Sequence, residues 1–354
     1  MRVPVLSRDA VFAAVPPLRA YDAVRDGFVR HARGEWTMQP KVYVTNYPAG
    51  DFRAMPALGG GYALLKWVTS FPGNPGRGLP TVTGLVLLSN AETGALEAVL
   101  DAAAVTALRT AAAGVIAAEE LGRPGGSTAV VGLGVNGAET VRLLRARGAD
   151  PLVWDLDPER LATSARELGA RPAESLEQAL AADAVVTVTP GREVLFRSGS
   201  LRPGQHVSLM GADGPGKAEV AVEELARATV FCDDWEQASH GGELAAAVAA
   251  GVLGRDGVTQ LGDVLAGDAT GRTSDGEVTL FDSTGLAIQD LAARARRRAR
   301  SAAGRRTPPS ASRSRPRRRR RTSPRRARPG IGSCRPAPAS RPSGSRRGRP
   351  RPQP

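Results

Sequence analysis

The chain has 354 residues, enough for a large buried core and for two domains. Its net charge of +13 is uneven: 23 of the 48 basic residues are arginines beyond position 290, and the first 290 residues carry 25 basic against 35 acidic side chains, so the overall basicity is no argument for nucleic-acid binding. Cys232 and Cys334 do not read as a disulfide framework, and His31, His206 and His240 are too scattered for a ligand cluster, so no metal is expected and a reducing cytoplasm fits.

Residues up to about 35 read as one or two helices around the Pro16-Pro17 break, with Arg8 and Asp9 interrupting any apolar signal-peptide core. Strand-like runs follow at 41–45, 62–69, 81–89 and 95–100. The turn residues from Asn90 to Gly94 join the last two as a hairpin, so this part is expected to be a mainly antiparallel sheet. An Ala-rich helix is predicted at about 102–121, stopped by Gly122 and Pro124. From Thr128 the pattern alternates, with strands at 128–132, 152–155, 184–188, 206–210 and 229–233 and helices at 137–147, 158–168 and 175–181. Short apolar strands alternating with amphipathic helices imply a parallel sheet covered on both faces. Helices near 242–253 and 258–266, a strand at 277–281 and a final helix starting near Leu286 complete the body. No apolar run reads as a membrane span of about 20 residues. Beyond about 300 the chain is Arg, Pro, Ser and Gly with too few apolar side chains to offset the entropy of ordering, so a disordered tail is expected. That tail holds no aromatic residue for base stacking, and its abrupt composition also reads as the frameshifted end of a GC-rich gene; no specific nucleic-acid partner is expected.

Gly132-Leu133-Gly134-Val135-Asn136-Gly137 is a GxGxxG turn between a strand and a helix. The first glycine permits the turn, the second lets backbone approach a pyrophosphate, and the third lets the helix pack close. The helix start then offers unpaired N–H groups to phosphate. Asp155 follows 23 residues after Gly132, at the end of the next strand, where a carboxylate can accept from both ribose hydroxyls. A carboxylate there repels a 2′-phosphate, so NAD is expected rather than NADP.

Three lysines occur in the whole chain, Lys41, Lys66 and Lys217. Lys66 lies inside the apolar run Leu64-Leu65-Lys66-Trp67-Val68; it must be paired, face a cavity, or sit on the wet face of an edge strand. Arg109, on the Ala-rich helix, carries a fork suited to a carboxylate, though a solvated helix face would also hold an arginine. Asp213 follows the 206–210 strand, where open α/β sheets bind ligands; it is either an acid/base or a turn-forming residue before Gly214.

Together these residues resemble the ornithine cyclodeaminase/μ-crystallin family over about residues 35–292. The motifs that carry the resemblance are Leu65-Lys66 with Thr81-Val82-Thr83, LRTAA at 108–112, GADGPGK at 211–217 and FDSTGLAIQD at 281–290. The spacings among Lys66, Thr81 and Arg109 are similar to those of bacterial ornithine cyclodeaminases. The resemblance implies an α/β homodimer. Its substrate-binding and dimerisation domain is of α+β type (1–122 with 284–300), its Rossmann NAD-binding domain spans 123–283, and the tail is 301–354. It further implies that Lys66 and Arg109 hold a substrate carboxylate, with Lys66 also catalytic, and that Asp213 is the catalytic acid/base. Lys41 stands near a position where the family often has Arg, and could replace it only as a point charge. The cofactor set expected is Thr81, Gly132, Gly134, Val135, Asn136, Gly137, Asp155, Thr187 and Thr189.

The implied activity is conversion of L-ornithine to L-proline and ammonia by a redox-neutral hydride cycle on NAD. Other members of the family are amino-acid dehydrogenases, imine reductases or lysine cyclodeaminases, and a crystallin-like nucleotide-binding protein without catalysis is a further alternative. The expected partners are a small amino acid and a second copy of the chain, with no membrane.

Overall fold

The computed structural model describes residues 2–212, 214 and 216–294, so Asp213 and the arginine-rich tail lie outside the described residues. The first half opens with β1 (Val5–Leu6), α1 (Arg8–Ala14) and α2 (Pro17–Ala32). The Ser7 hydroxyl accepts from Ala10 N to cap α1, and Pro17 sits at the first helical position of α2, where a missing N–H costs nothing. Then come β2 (Thr37–Met38), β3 (Val42–Asn46), β4 (Gly50–Gly59), β5 (Tyr62–Ser70), β6 (Val82–Asn90) and β7 (Leu96–Asp101). They form a seven-stranded sheet in the order β1-β7-β6-β5-β4-β2, with β3 also on β4; every pairing is antiparallel except β1 with β7.

The ten-residue β4 was not expected, because Asp51, Arg53 and Pro56 break its apolar pattern. Pairing decides instead. β3 covers β4 through Ala54 and β2 takes over at Ala57, so Pro56 falls between the two ladders, where its missing donor is not needed on that side.

α3 (Ala102–Leu121) follows, with Asp101 capping Ala104 N at 2.7 Å. By length and composition this helix could cross a membrane, contrary to the expectation that no such run exists, but 83% of its apolar window is buried in the core. Its small residues explain that burial. A Cβ on Gly114 would meet Val186 at 3.0 Å, and the Gly114 carbonyl accepts from Ser208 Oγ at 2.9 Å, so the helix lies directly on the second sheet.

That sheet is built from β8 (Thr128–Val131), α4 (Val135–Ala146), β9 (Leu152–Trp154), α5 (Pro158–Leu168), β10 (Arg171–Pro172), α6 (Leu176–Leu180), β11 (Ala184–Thr187), β12 (His206–Leu209), α7 (Val222–Leu225) and β13 (Thr229–Cys232). It continues through α8 (Trp235–Gly241), α9 (Leu244–Ala249), β14 (Val258–Gln260), α10 (Leu261–Ala266), β15 (Thr279–Asp282) and α11 (Ala287–Ala292). Its eight strands run in the order β10-β9-β8-β11-β12-β15-β13-β14, and every pairing is parallel.

Two expectations need correction here. The helix expected near 242–253 is the shorter α9, preceded by a separate α8 that ends at Gly241. The first three residues of the helix expected at 258–266 are instead β14, since Val258 and Thr259 pair with Val230 and Phe231. Finally, α11 packs against α2, β4 and β5, returning the chain end to the first sheet.

Candidate active site

The strand order reverses between β8 and β11, which opens a crevice beyond their carboxyl ends. Gly132 ends β8 at φ +95°, where a Cβ would stand 3.0 Å from the Val188 carbonyl oxygen. A Cβ on Gly137 would stand 1.8 Å from the Gly132 carbonyl oxygen, so the helix seats against the strand only without a side chain. Gly134 is the opposite case, with no heavy atom within 4 Å of its Cβ position. It caps α4 without a side-chain hydrogen bond, leaving the first N–H groups of a 12-residue helix to a ligand. Val135 is 41% exposed at the same rim, and the Asn136 carbonyl is taken by Thr140 Oγ1 at 2.9 Å.

Asp155 is buried just beyond β9 and ties this turn together, accepting from Leu133 N at 2.7 Å, Asp157 N at 2.9 Å and Arg160 Nη1 at 3.2 Å. An open glycine cradle at an uncapped helix start, with a carboxylate after the next strand, fits NAD.

Thr187 and Thr189, expected among the cofactor contacts, have their hydroxyls engaged by a buried acid. The Thr187 hydroxyl is buried and donates to Glu219 Oε2 at 2.6 Å, and the Thr189 hydroxyl donates to Glu219 Oε1 at 2.5 Å. Both side chains turn toward a buried acid, because that carboxylate must be hydrogen-bonded where it sits. Glu219 also accepts from Gly211 N at 3.1 Å, and burial raises its carboxyl above the usual range against the pull of these donors. It therefore links the end of β11 to the start of the 211–217 loop that carries Asp213. Thr81 lies at the foot of β6, where its carbonyl accepts from Phe71 N at 2.8 Å.

The first sheet and the helix that follows it contribute the basic side chains. Lys66 is 1% exposed on β5, with Nζ 2.9 Å from Asp290 Oδ1, 2.7 Å from Oδ2 and 3.3 Å from Thr106 Oγ1. Arg109 comes from α3, with Nε 3.5 Å from Asp290 Oδ1 and Nη1 3.4 Å from Gln289 Oε1. Lys66 and Arg109, expected to act together, thus meet around one carboxylate. Burial pushes the Lys66 ammonium down to about 8; Asp290 opposes this, while Arg109 and Arg53 add repulsion. Lys41 belongs to another contact, donating from Nζ to the Thr284 carbonyl at 2.5 Å. Next to it, the buried Asp233 accepts from Ser283 Oγ at 3.0 Å and Gly285 N at 2.7 Å. Burial raises Asp233, and Lys41 draws it back.

Sequence reasoning missed Arg53, Asp290, Gln289 and Glu219. Arg53 is buried on β4, paired with Asp51 at 2.6 Å, two positions from Met55, which faces Lys66 across the ladder. The signal for Asp290 was present in the 281–290 motif, where a carboxylate stands among apolar residues at a helix start.

Comparison with known proteins places the whole described chain in one family. The family model "Ornithine cyclodeaminase/mu-crystallin family" matches residues 5–302. Alanine dehydrogenase of Archaeoglobus fulgidus is 42% identical over 307 residues, covering 82% of this chain and 93% of that protein. Ornithine cyclodeaminase of Agrobacterium tumefaciens is 32% identical over 258 residues, covering 69% and 70%. The solved structure of an archaeal alanine dehydrogenase dimer with bound NAD superimposes with a TM-score of 0.78 at 41% identity, covering 83% of this chain and 94% of that one. With a mainly antiparallel sheet and α3 carrying the cations, a parallel sheet carrying the glycine turn, and sequence similarity running through both, this chain belongs to the ornithine cyclodeaminase/mu-crystallin family.

Proposed function

We propose that this chain is an NAD-dependent enzyme that oxidises a small monocarboxylic α-amino acid of alanine size at Cα, or reduces the matching imino acid. The observation that carries this reading is the meeting of Lys66 and Arg109 around the buried Asp290. Two cationic donors of the kind that hold a substrate carboxylate stand together there, one from β5 and one from α3. Among the α-amino acids such a clamp can hold, one of alanine size is the choice proposed. The 42% identity to an alanine dehydrogenase, against 32% to an ornithine cyclodeaminase, supports the same choice.

Bound NAD would supply the hydride acceptor. Arg109 and Lys66 would grip the carboxylate and so hold Cα at a fixed place, which is where proximity lowers the barrier. The substrate amine must lose a proton before its nitrogen can form a double bond to Cα, and Asp213 is the group proposed to take it.

The 211–217 motif favours a second reading, the redox-neutral cyclodeaminase of L-ornithine. An amino-acid panel with NAD, following NADH and ammonia together, separates the two. NADH accumulating with L-alanine or a similar amino acid is the expected result. Ammonia and proline from ornithine without net NADH would favour the second reading, and neither product across the panel would remove both.

The partner proposed is a second copy of the chain. Val42, Val44, Leu58, Leu65, Trp67 and Leu85 are exposed on the first sheet, and Trp67 faces Leu85 across β5 and β6. Trp67→Glu is expected to give a monomer by sedimentation with NAD affinity unchanged; a dimer of wild-type stability would put the contact elsewhere.

A further inference from the structure

Asp290 has no role in the residue set drawn from the sequence, yet it is the fully buried centre of the basic pocket. It arrives from α11, more than two hundred positions beyond Lys66, with which its carboxylate makes both oxygen contacts. Gln289, beside it, accepts from Arg109 Nη1 and from Leu286 N, so two consecutive side chains of α11 reach toward the two cations. Gly285 enters close under the same arginine: a Cβ there would stand 2.6 Å from Arg109 Nη1. Without a carboxylate between them, two buried cations would repel, and the lysine would shed its proton or swing away.

We propose that Asp290 is a positioning residue that holds the Lys66 ammonium and the Arg109 guanidinium together, so that the substrate carboxylate meets a prearranged pair of donors. The proposal rests on the functional reading given above and assigns α11 a part in it: the pocket is complete only when this helix is docked. Among the described residues, the charged groups acting on Lys66 are Asp290 from α11, Arg109 from α3 and Arg53 from β4, and Asp290 is the one anion of these three. A substrate carboxylate would then join an existing cluster rather than assemble one, which spares the ordering of two long side chains on binding.

The test uses the full chain, in which three lysines give a readable set of side-chain signals. Selective nitrogen-15 labelling of lysine follows the Lys66 ammonium by NMR across pH, with no substrate present. In Asp290→Asn the Lys66 midpoint is expected to fall by about one unit. The amino-acid KM is expected to rise about tenfold or more, as for loss of a charge-assisted contact, with NAD affinity kept. Asp290→Glu retains the charge but moves it by one methylene, so the midpoint is expected to stay near wild type while KM still rises. A Lys66 midpoint that is the same in wild type and Asp290→Asn overturns the proposal. If Asp290→Asn does not fold, a wild-type KM in Asp290→Glu overturns it. If the wild-type chain turns over no amino acid, the functional reading fails alone, and the NMR titration still decides whether Asp290 holds Lys66.

Discussion

Gly137→Ala is expected to abolish measurable NAD binding, a loss on the order of 100-fold or more, through overpacking at the strand–helix contact. The added carbon would sit 1.8 Å from the Gly132 carbonyl oxygen, and that oxygen is backbone, so no side chain can rotate out of the way. α4 must retreat from the sheet, and its N-terminal N–H groups leave the position where they would meet phosphate. A control isolates the cause. Gly134→Ala meets no heavy atom within 4 Å, so its Tm is expected to equal wild type. Its methyl nevertheless projects into the open cradle, and NAD affinity is expected to fall without any loss of stability. Calorimetric titration with NAD, paired with thermal melts, reads both. Wild-type affinity in Gly137→Ala would mean that the glycine turn is not the nucleotide site. A lowered Tm in Gly134→Ala would mean that the cradle is packed.

The second large effect is acid sensitivity carried by His206. Its ring is fully buried at the start of β12, with Nδ1 2.9 Å from Thr279 Oγ1 and Nε2 2.9 Å from Ser208 Oγ. Burial pushes its pKa down to about 3, with Arg272 adding repulsion. The imidazole is therefore neutral in the fold and charges readily once unfolded. This contribution to stability is complete above the unfolded value near 6.5 and is lost as pH falls from there toward 3. At about 1.4 kcal/mol per unit, the loss between pH 7 and pH 4 is about 3 kcal/mol, a large part of a typical folding free energy. Buried Asp282 and Glu243 are raised and act in the opposite sense, gaining stability as pH falls, so the whole-protein curve mixes these signs. The comparison with His206→Asn removes that mixture. Urea midpoints of wild type and variant are expected to converge or cross as pH falls from 7 to 4. Parallel curves would show that His206 does not titrate on unfolding.

Much of the architecture was legible because it follows local rules. The glycine turn, Asp155, the Ala-rich helix and the alternation of strands with helices each rest on residues close in sequence. β4 was missed because its inward side chains include Asp51 and Arg53, whose mutual ion pair only the folded ladder supplies. Lys66 and Arg109 were found because a lysine in an apolar strand and an arginine on an alanine-rich helix both stand out. Asp290 was passed over because a carboxylate at a helix start has an ordinary local explanation, and its partners lie on elements far earlier in the chain. Thr187 and Thr189 were expected among the cofactor contacts, at the end of β11 and just beyond it. The buried Glu219 that claims their hydroxyls is about thirty residues away, and no pattern in the sequence joins them.

The apolar character of α3 also bears on how the protein is made. A growing chain releases this greasy segment well before the ribosome has produced β12, whose Ser208 and neighbours later cover it. During that interval its apolar face is open to water, where non-native apolar contacts can compete for it. Recovery of folded protein, from cells or from denaturant, is accordingly expected to depend on how quickly the second sheet arrives to shield one helix.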